Sequence, residues 1–212
     1  EPSKPSISLD EARLFGYYIS EGCHNRDTLK SGEYILHGTE FSFNLNEDMT
    51  YAEDVRSICN RLGIRHSTSR IPSRNVLVIS TTNTVARKFA AWCDINGSHL
   101  SQHKALSEEV MRWPIEYKME LLKGMFRGDG THYVGSRGIP SVSYTTASGV
   151  LAEQLQIILA HVGIYAGLVV HTRKPGKFNK NPAVKNMVNI GGIQCLEFAD
   201  QVWGSDNRFT GY

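Results

Sequence analysis

Two carboxylates stand at matching places in two similar stretches of this chain. Leu14–Gly22 reads LFGYYISEG and Leu122–Gly130 reads LKGMFRGDG, so Glu21 and Asp129 each close a segment of the same form. That form is Leu, any residue, Gly, two apolar or aromatic residues, two variable positions, an acid and Gly. If both segments are helical, the acids fall at helix C-termini, where free carbonyls carry partial negative charge. Two such ends side by side repel each other unless a cation joins them. Carboxylate and carbonyl oxygens are hard ligands that suit Mg²⁺ or Ca²⁺. Equivalent acids in a duplicated chain therefore imply a metal site on a pseudo-twofold axis.

The duplication extends well beyond the acids. Ala52–Ile64 (AEDVRSICNRLGI) lies beside Ala152–Ile164 (AEQLQIILAHVGI), and Val76–Ser80 (VLVIS) beside Met187–Gly191 (MVNIG). Ala86–Cys93 lies beside Cys195–Trp203, so the blocks recur in one order, as a tandem repeat inside one chain would have them. Gly16 and Gly124 occupy matching positions inside the two acid-bearing helices. Glycine there costs roughly 1 kcal/mol against alanine. The repeated cost fits two helix backbones in close approach, which would bring Glu21 and Asp129 together.

Charge is segregated rather than abundant. The net charge is only +2, from 23 basic and 21 acidic residues. Yet Arg61–Arg74 holds Arg61, Arg65, Arg70 and Arg74 without an acid, and Arg173–Lys185 holds Arg173, Lys174, Lys177, Lys180 and Lys185 without one. Such a chain can present a cationic face to phosphates while staying near neutral overall. Other constellations are weaker. Cys93, His99 and His103 lack an evident fourth zinc ligand. The glycines at 124, 128 and 130 do not make a dinucleotide fingerprint, and no nucleophile elbow is present. Trp92, Trp203, Tyr17, Tyr18 and Phe126 read as core residues.

The elements that must position these groups follow from pattern. Ser8 and Glu11 form a capping box that opens the first motif helix, and Pro114 suits the first turn of the second. Gly22 and Gly130 read as C-terminal helix stops of the left-handed kind. Strand-like runs follow at Tyr34–His37 and Glu40–Asn44, with a turn at Gly38, and at Ser141–Thr145. Tyr51, Val55, Ile58 and Leu62 sit at helical spacing, as do Leu151, Leu155, Ile158 and Val162. The order is αββαββα, twice over, an α+β class with antiparallel sheets. The expected division is a first half over 8–100, a partly helical connecting segment over 101–113 and a second half over 114–205.

LFGYYISEG and LKGMFRGDG resemble the two signature motifs of the LAGLIDADG homing endonucleases, and the second is closest to the intein-associated branch. The resemblance covers about residues 8 to 205. It implies a monomeric saddle with no obligate protein partner, whose motif helices form the central interface and whose sheets lie in the major groove of double-stranded DNA. It implies further that Glu21 and Asp129 bind divalent metal at the scissile phosphates, with nearby backbone carbonyls as co-ligands. Mg²⁺ is the expected cofactor; Mn²⁺ would substitute, and Ca²⁺ would bind without supporting cleavage. Asn44 falls where the family often places a polar residue that holds water near the metal, and its counterpart is Tyr144, Thr145 or Thr146. The basic residues Arg65, Arg70, Arg74, Arg173, Lys174, Lys177, Lys180 and Lys185 would flank the DNA. The sequence departs from the family in having Glu rather than Asp at position 21. Nor does it carry Lys or Arg in 78–82 or 188–192, where many members keep a basic residue.

The expected activity is site-specific cleavage of double-stranded DNA at a long target, giving staggered ends. The alternative on the same scaffold is a protein that binds nucleic acid without cutting, as an RNA splicing maturase or a DNA-binding regulator. Both acids are present, which favours the enzyme. Composition agrees with a globular domain: 41% of the 212 residues are apolar and 21% charged. The longest nearly apolar run, 157–170, is shorter than the roughly 20 residues a membrane helix needs. Neither a signal peptide nor a splicing-type Cys or Ser start is expected. Four cysteines without a CxxC pair fit a reducing, intracellular setting.

Overall fold

In the computed structural model, described for residues 6–31, 33–93, 100–135, 138–173, 183–207 and 209, the chain builds two similar halves around a pair of packed helices. Helix α1 (Leu9–Glu21) opens with the capping box: Ser8 Oγ accepts from the Glu11 amide at 3.2 Å, and the Ser8 amide donates to Glu11 Oε2 at 2.7 Å. Two orphan amide donors are thereby satisfied. The helix runs straight into β1 (Gly22–Thr28), which forms a hairpin with β2 (Tyr34–Asn44). Then come α2 (Tyr51–Arg61), β3 (His66–Ile71), β4 (Val76–Thr81) and α3 (Asn83–Cys93). The connecting segment carries a 3₁₀ turn at Ser101–His103 and the short α4 (Glu108–Met111). The second half repeats the pattern with α5 (Ile115–Asp129), β5 (Gly130–Val134), β6 (Pro140–Thr146), α6 (Gly149–His161), β7 (Ala166–Arg173), β8 (Ala183–Gly191) and α7 (Gln194–Trp203).

The sheets are antiparallel and have the same order, β1-β2-β4-β3 and β5-β6-β8-β7. Each buries one face against helices through strand alternation. Phe41, Phe43, Leu77 and Ile79 point inward in the first half, and Val142, Tyr144, Val188 and Ile190 in the second. The opposite face carries mostly short polar or small side chains. Ser42 pairs with Val78 and Val78 with Ser69; Thr131 pairs with Ser143 and Ser143 with Asn189.

The structure corrects several expectations. Gly38 is no turn; it lies within one eleven-residue strand beside a register shift at Asn25/Arg26. A Cβ there would sit 2.2 Å from the Thr81 carbonyl oxygen, so close backbone approach explains this glycine. Gly22 and Gly130 are extended, with φ of −97° and −79°, and are not left-handed stops. A Cβ on Gly22 would strike the Tyr18 ring and carbonyl, and one on Gly130 would lie 2.2 Å from the Phe126 oxygen. These glycines let the chain turn from helix into strand without a loop. The ladders also shift the internal alignment. Gly22 pairs with Phe41 and Phe41 with Ile79; Gly130 pairs with Tyr144 and Tyr144 with Val188. Val76–Ser80 therefore matches Lys185–Asn189, two residues earlier than the sequence similarity suggests, on the same face.

The aromatic residues read as core are core. Phe15 packs against Trp92 (centroids 5.1 Å apart) and Phe126 against Phe198 (4.8 Å), with Trp203 edge-on beside it. Tyr17, Tyr18, Trp92 and Trp203 are all buried.

Candidate metal and nucleic-acid site

Helices α1 and α5 meet backbone to backbone. A Cβ on Gly16 would lie 2.2 Å from the Leu121 oxygen and 2.9 Å from the Gly124 Cα; one on Gly124 would lie 2.2 Å from the Arg13 oxygen. The approach persists to the helix ends, where a Cβ on Gly128 would come within 2.3 Å of Ser20 Oγ and 3.0 Å of Glu21 Cγ. Glu21 of one motif thus packs on the residue preceding Asp129 of the other.

Both carboxyls sit in an environment that disfavours their charge. Burial pushes Glu21 up to about 7, and the charges of Asp129 and Glu47 push the same way against the opposing pull of Lys104. Asp129 is more open to solvent, but crowding by the surrounding protein still pushes it up to about 6, again against Lys104. Neither carboxylate makes a hydrogen bond or ion pair with the described residues. Two hard-oxygen groups at adjoining helix C-termini, raised in pKa and without a bonded counter-charge, fit a divalent cation. No group of three or more His, Cys, Asp or Glu that could hold a metal occurs among the described residues, so backbone, water or phosphate oxygens would complete the shell.

Not every residue singled out in the sequence reaches this place. Asn44 lies three residues beyond Phe41, the partner of Gly22, which is about 10 Å along the strand. Its Oδ1 caps a 3₁₀ turn at Leu45–Glu47 by accepting from the Asn46 amide (3.0 Å), and also accepts from Asn75 Nδ2 (3.2 Å). Its counterpart by the ladder is Ala147, one past the last paired residue Thr146, and not Tyr144, Thr145 or Thr146. Glu47, overlooked in the sequence, is the acid from this turn whose charge reaches Glu21.

Two cations missed in the sequence secure the helix ends. Lys104, buried in the connecting segment, donates to the carbonyls of Tyr18 (3.0 Å), Ile19 (2.7 Å) and Gly22 (2.9 Å). Three of the carbonyls near Glu21 are therefore taken by a lysine. Arg127, in the last turn of α5, donates from Nε to the Val202 carbonyl and from Nη1 to Asp54, both at 2.7 Å. Asp54 also accepts from the Tyr17 hydroxyl at 2.9 Å, and Arg13 reaches it at 3.4 Å while its Nε bonds Glu120 at 2.6 Å. The network crosses between the halves.

The basic residues divide. Arg65 and Arg74 are exposed, with no hydrogen bond or ion pair to the described residues. Arg70 sits opposite Leu77 on the helix side, and Asp48 holds its guanidinium at 2.7 Å. Lys185 lies on the outward face of β8, opposite His171. Arg173 ends β7, and Lys174, Lys177 and Lys180 lie outside the described residues, as does His99 of the weak zinc pattern.

This arrangement of paired acids on a two-helix interface between two αββαββα halves defines a two-repeat LAGLIDADG protein. Residues 116–202 match the model of the LAGLIDADG-like domain, and the fold of the whole chain is that of I-DmoI. In complex with DNA and Ca, that homing endonuclease superposes with a TM-score of 0.65 at 11% identity, over 94% of this chain and 91% of that one. The N-terminal LAGLIDADG domain of DUF199/WhiA superposes with a TM-score of 0.56 at 15% identity, over 94% and 86%. In sequence, an uncharacterized Methanocaldococcus jannaschii protein is 28% identical over 96% of this chain and 22% of its own length. An iron-sulfur cluster assembly SufBD family protein of Mycobacterium tuberculosis is 34% identical over 82% and 19%. An ATP-dependent DNA helicase of Thermococcus kodakarensis is 26% identical over 84% and 15%. The chain spans about a fifth or less of the length of these relatives. No described helix is long and apolar enough to cross a membrane.

Proposed function

We propose that this chain is a divalent-metal-dependent endonuclease that cuts double-stranded DNA at a long specific site, as a monomer. The observation that carries this reading is the pairing of Glu21 and Asp129 across the α1–α5 contact, with both carboxyls raised and neither bonded. Structures of I-DmoI described as complexes with target DNA and Ca, Mn or Mg support the same assignment. Mg²⁺ is the proposed cofactor. Held by the two carboxylates, it would lower the pKa of a bound water and offset charge at the phosphate. The protein's own contribution is to fix the two acids through glycine contacts and to keep the helix ends rigid through Lys104 and Arg127. The outward rows of Ser, Thr and Asn would face base edges, with Arg65, Arg74, Lys185 and the lysines between β7 and β8 on phosphates. The matched relatives bear unrelated names, SufBD family protein and DNA helicase among them, yet share this segment over a small part of their length. That pattern favours an inserted module of the intein-associated kind. The test is incubation of the protein with a random duplex library in Mg²⁺; recovery of one cleaved sequence supports the reading. Selective binding without cleavage in Mg²⁺ or Mn²⁺ supports the non-cutting alternative.

Two further outcomes are expected. Folded acids with raised pKa retain protons that the unfolded chain releases, so they favour the metal-free fold below about pH 4, and that contribution is lost as pH rises through about 6 to 7. A cation binds the ionised forms and must expel those protons. Calorimetry with Ca²⁺ at about pH 6 should show heats that vary with the buffer's ionisation enthalpy, and by about pH 8 this variation should vanish while affinity rises. Buffer-independent heats at the lower pH would mean that the acids are not the ligands.

For DNA, Lys177→Ala with Lys180→Ala should flatten the plot of log affinity against log salt by roughly one unit for each lost phosphate contact. Lys118 is unsuitable as a silent control, because it is buried with its Nζ 3.0 Å from His161 Nδ1. Arg112, exposed near the N-terminal end of α5 and thus about 20 Å from the acids, serves instead. An unchanged slope in the double variant places the duplex elsewhere.

A further inference from the structure

We propose that Lys104 is a built-in counter-ion for the paired acids, a positioning residue that keeps the two motif helix ends together when no metal is bound. The inference rests on the reading of Glu21 and Asp129 as metal acids. A buried lysine is costly unless its charge is used. Here all three ammonium protons are directed at the end of α1, to the oxygens of Tyr18, Ile19 and Gly22, and the Tyr18 ring face lies 5.0 Å from Nζ. The last turn of α1 has no basic residue of its own, whereas α5 carries Arg127. A cation supplied from the connecting segment answers the negative end of the helix macrodipole. Its field also reaches both carboxylates, since Lys104 is the charge that opposes the raised pKa at Glu21 and at Asp129. Arg127 is spent on Asp54 and the Val202 carbonyl, so it does not duplicate this task. The connecting segment is thus part of the site: it carries the charge that lets the helices α1 and α5 end side by side.

A cap and a counter-ion differ in one respect: only the counter-ion depends on the acids. The test is a thermal-melting cycle at about pH 8 with Lys104→Met, Glu21→Gln plus Asp129→Asn, and the combination, each with and without Ca²⁺. Lys104→Met alone should lower Tm in metal-free buffer, and the drop should shrink by at least half when both acids are neutralised. Calcium should raise the Tm of Lys104→Met more than that of the parent, with a midpoint roughly tenfold lower because a competing positive charge is gone. If Lys104→Met does not fold, Lys104→Gln, which can still donate to the carbonyls, takes its place in the cycle. An equal Tm loss with acids intact or neutralised, and an equal calcium response, would reduce Lys104 to a helix cap and overturn the proposal. The cycle reads no cleavage. Failure of the parent to respond to calcium would count against the metal assignment, whereas additivity in metal-free buffer counts against Lys104.

Discussion

Glu21→Gln and Asp129→Asn should each lower double-strand cleavage by at least about a hundredfold, the scale of losing one preorganised electrostatic group. Each keeps nearly the shape of the side chain and removes the charge that would hold the cation. Specific DNA binding without metal should survive and can tighten, since a negative charge facing phosphate is gone. The structure adds a second readout. With Glu21 pushed up to about 7, partly by Asp129, and Asp129 up to about 6, the two acids oppose each other in the metal-free protein. Either neutralised variant should therefore melt at or above the parent's temperature at about pH 8 without metal, and lose the parent's stabilisation by Ca²⁺. Plasmid cleavage in Mg²⁺, a gel shift on the same site and a melt with and without Ca²⁺ decide it together. Cleavage at the parent's rate in either variant rejects the metal assignment. A lower Tm together with lost cleavage would instead show a structural defect.

The residues that were legible in the sequence are those whose constraint repeats. The acids and Gly16 with Gly124 stand out because a duplicated chain shows the same need twice, and the αββαββα order follows from two copies of one pattern. One repeated signal was missed: each acid–Gly pair is followed by one residue and then His, as His24 and His132. Both are buried, His24 between the Tyr18 hydroxyl (2.8 Å) and Thr39 (3.2 Å), His132 against the Trp203 ring at 4.3 Å. Extending the motif comparison by two residues would have found them, and with them the strands β1 and β5. Lys104 left no such trace. It sits in the connecting segment, which occurs once, and a lone lysine among polar residues looks solvated until the backbone carries it to a helix end. Asn44 failed for a related reason. A strand end can be located by pattern, but whether its side chain faces a neighbouring site or caps the next turn depends on where the chain goes afterwards. Arg70 shows the limit of charge counting, since its place opposite Leu77 sends it to Asp48.

Substituting the paired glycines gives a test in which the sign of the effect, and not only its size, is informative. In a solvated helix Gly→Ala stabilises by roughly 1 kcal/mol, because alanine loses less backbone entropy. Here the added Cβ at position 16 would lie 2.2 Å from the Leu121 oxygen, and the one at 124 would lie 2.2 Å from the Arg13 oxygen. Both obstacles are backbone atoms of the facing helix, so no rotamer change relieves them and α1 must move off α5. Overpacking commonly costs about 1–3 kcal/mol, and rigid backbone opposite backbone puts Gly16→Ala near the upper end. For a chain of this size about 3 kcal/mol corresponds to a fall in Tm of roughly 5–10 °C. Gly16→Leu and Gly124→Leu should fall further. The wedge also reaches the site, because Glu21 rests on Gly128 of the other helix and the acids separate as the helices do. Cleavage should therefore fall with Tm, and the calcium-induced rise in Tm should shrink even in variants that remain folded at the assay temperature. Gly63, which has φ +63° and open space around it, provides the contrast. Alanine there strains only its own backbone and should leave calcium binding intact. If Gly16→Ala and Gly124→Ala raise the Tm as helix propensity alone requires, the two motif helices do not meet at these glycines, and Glu21 and Asp129 are not held by that contact.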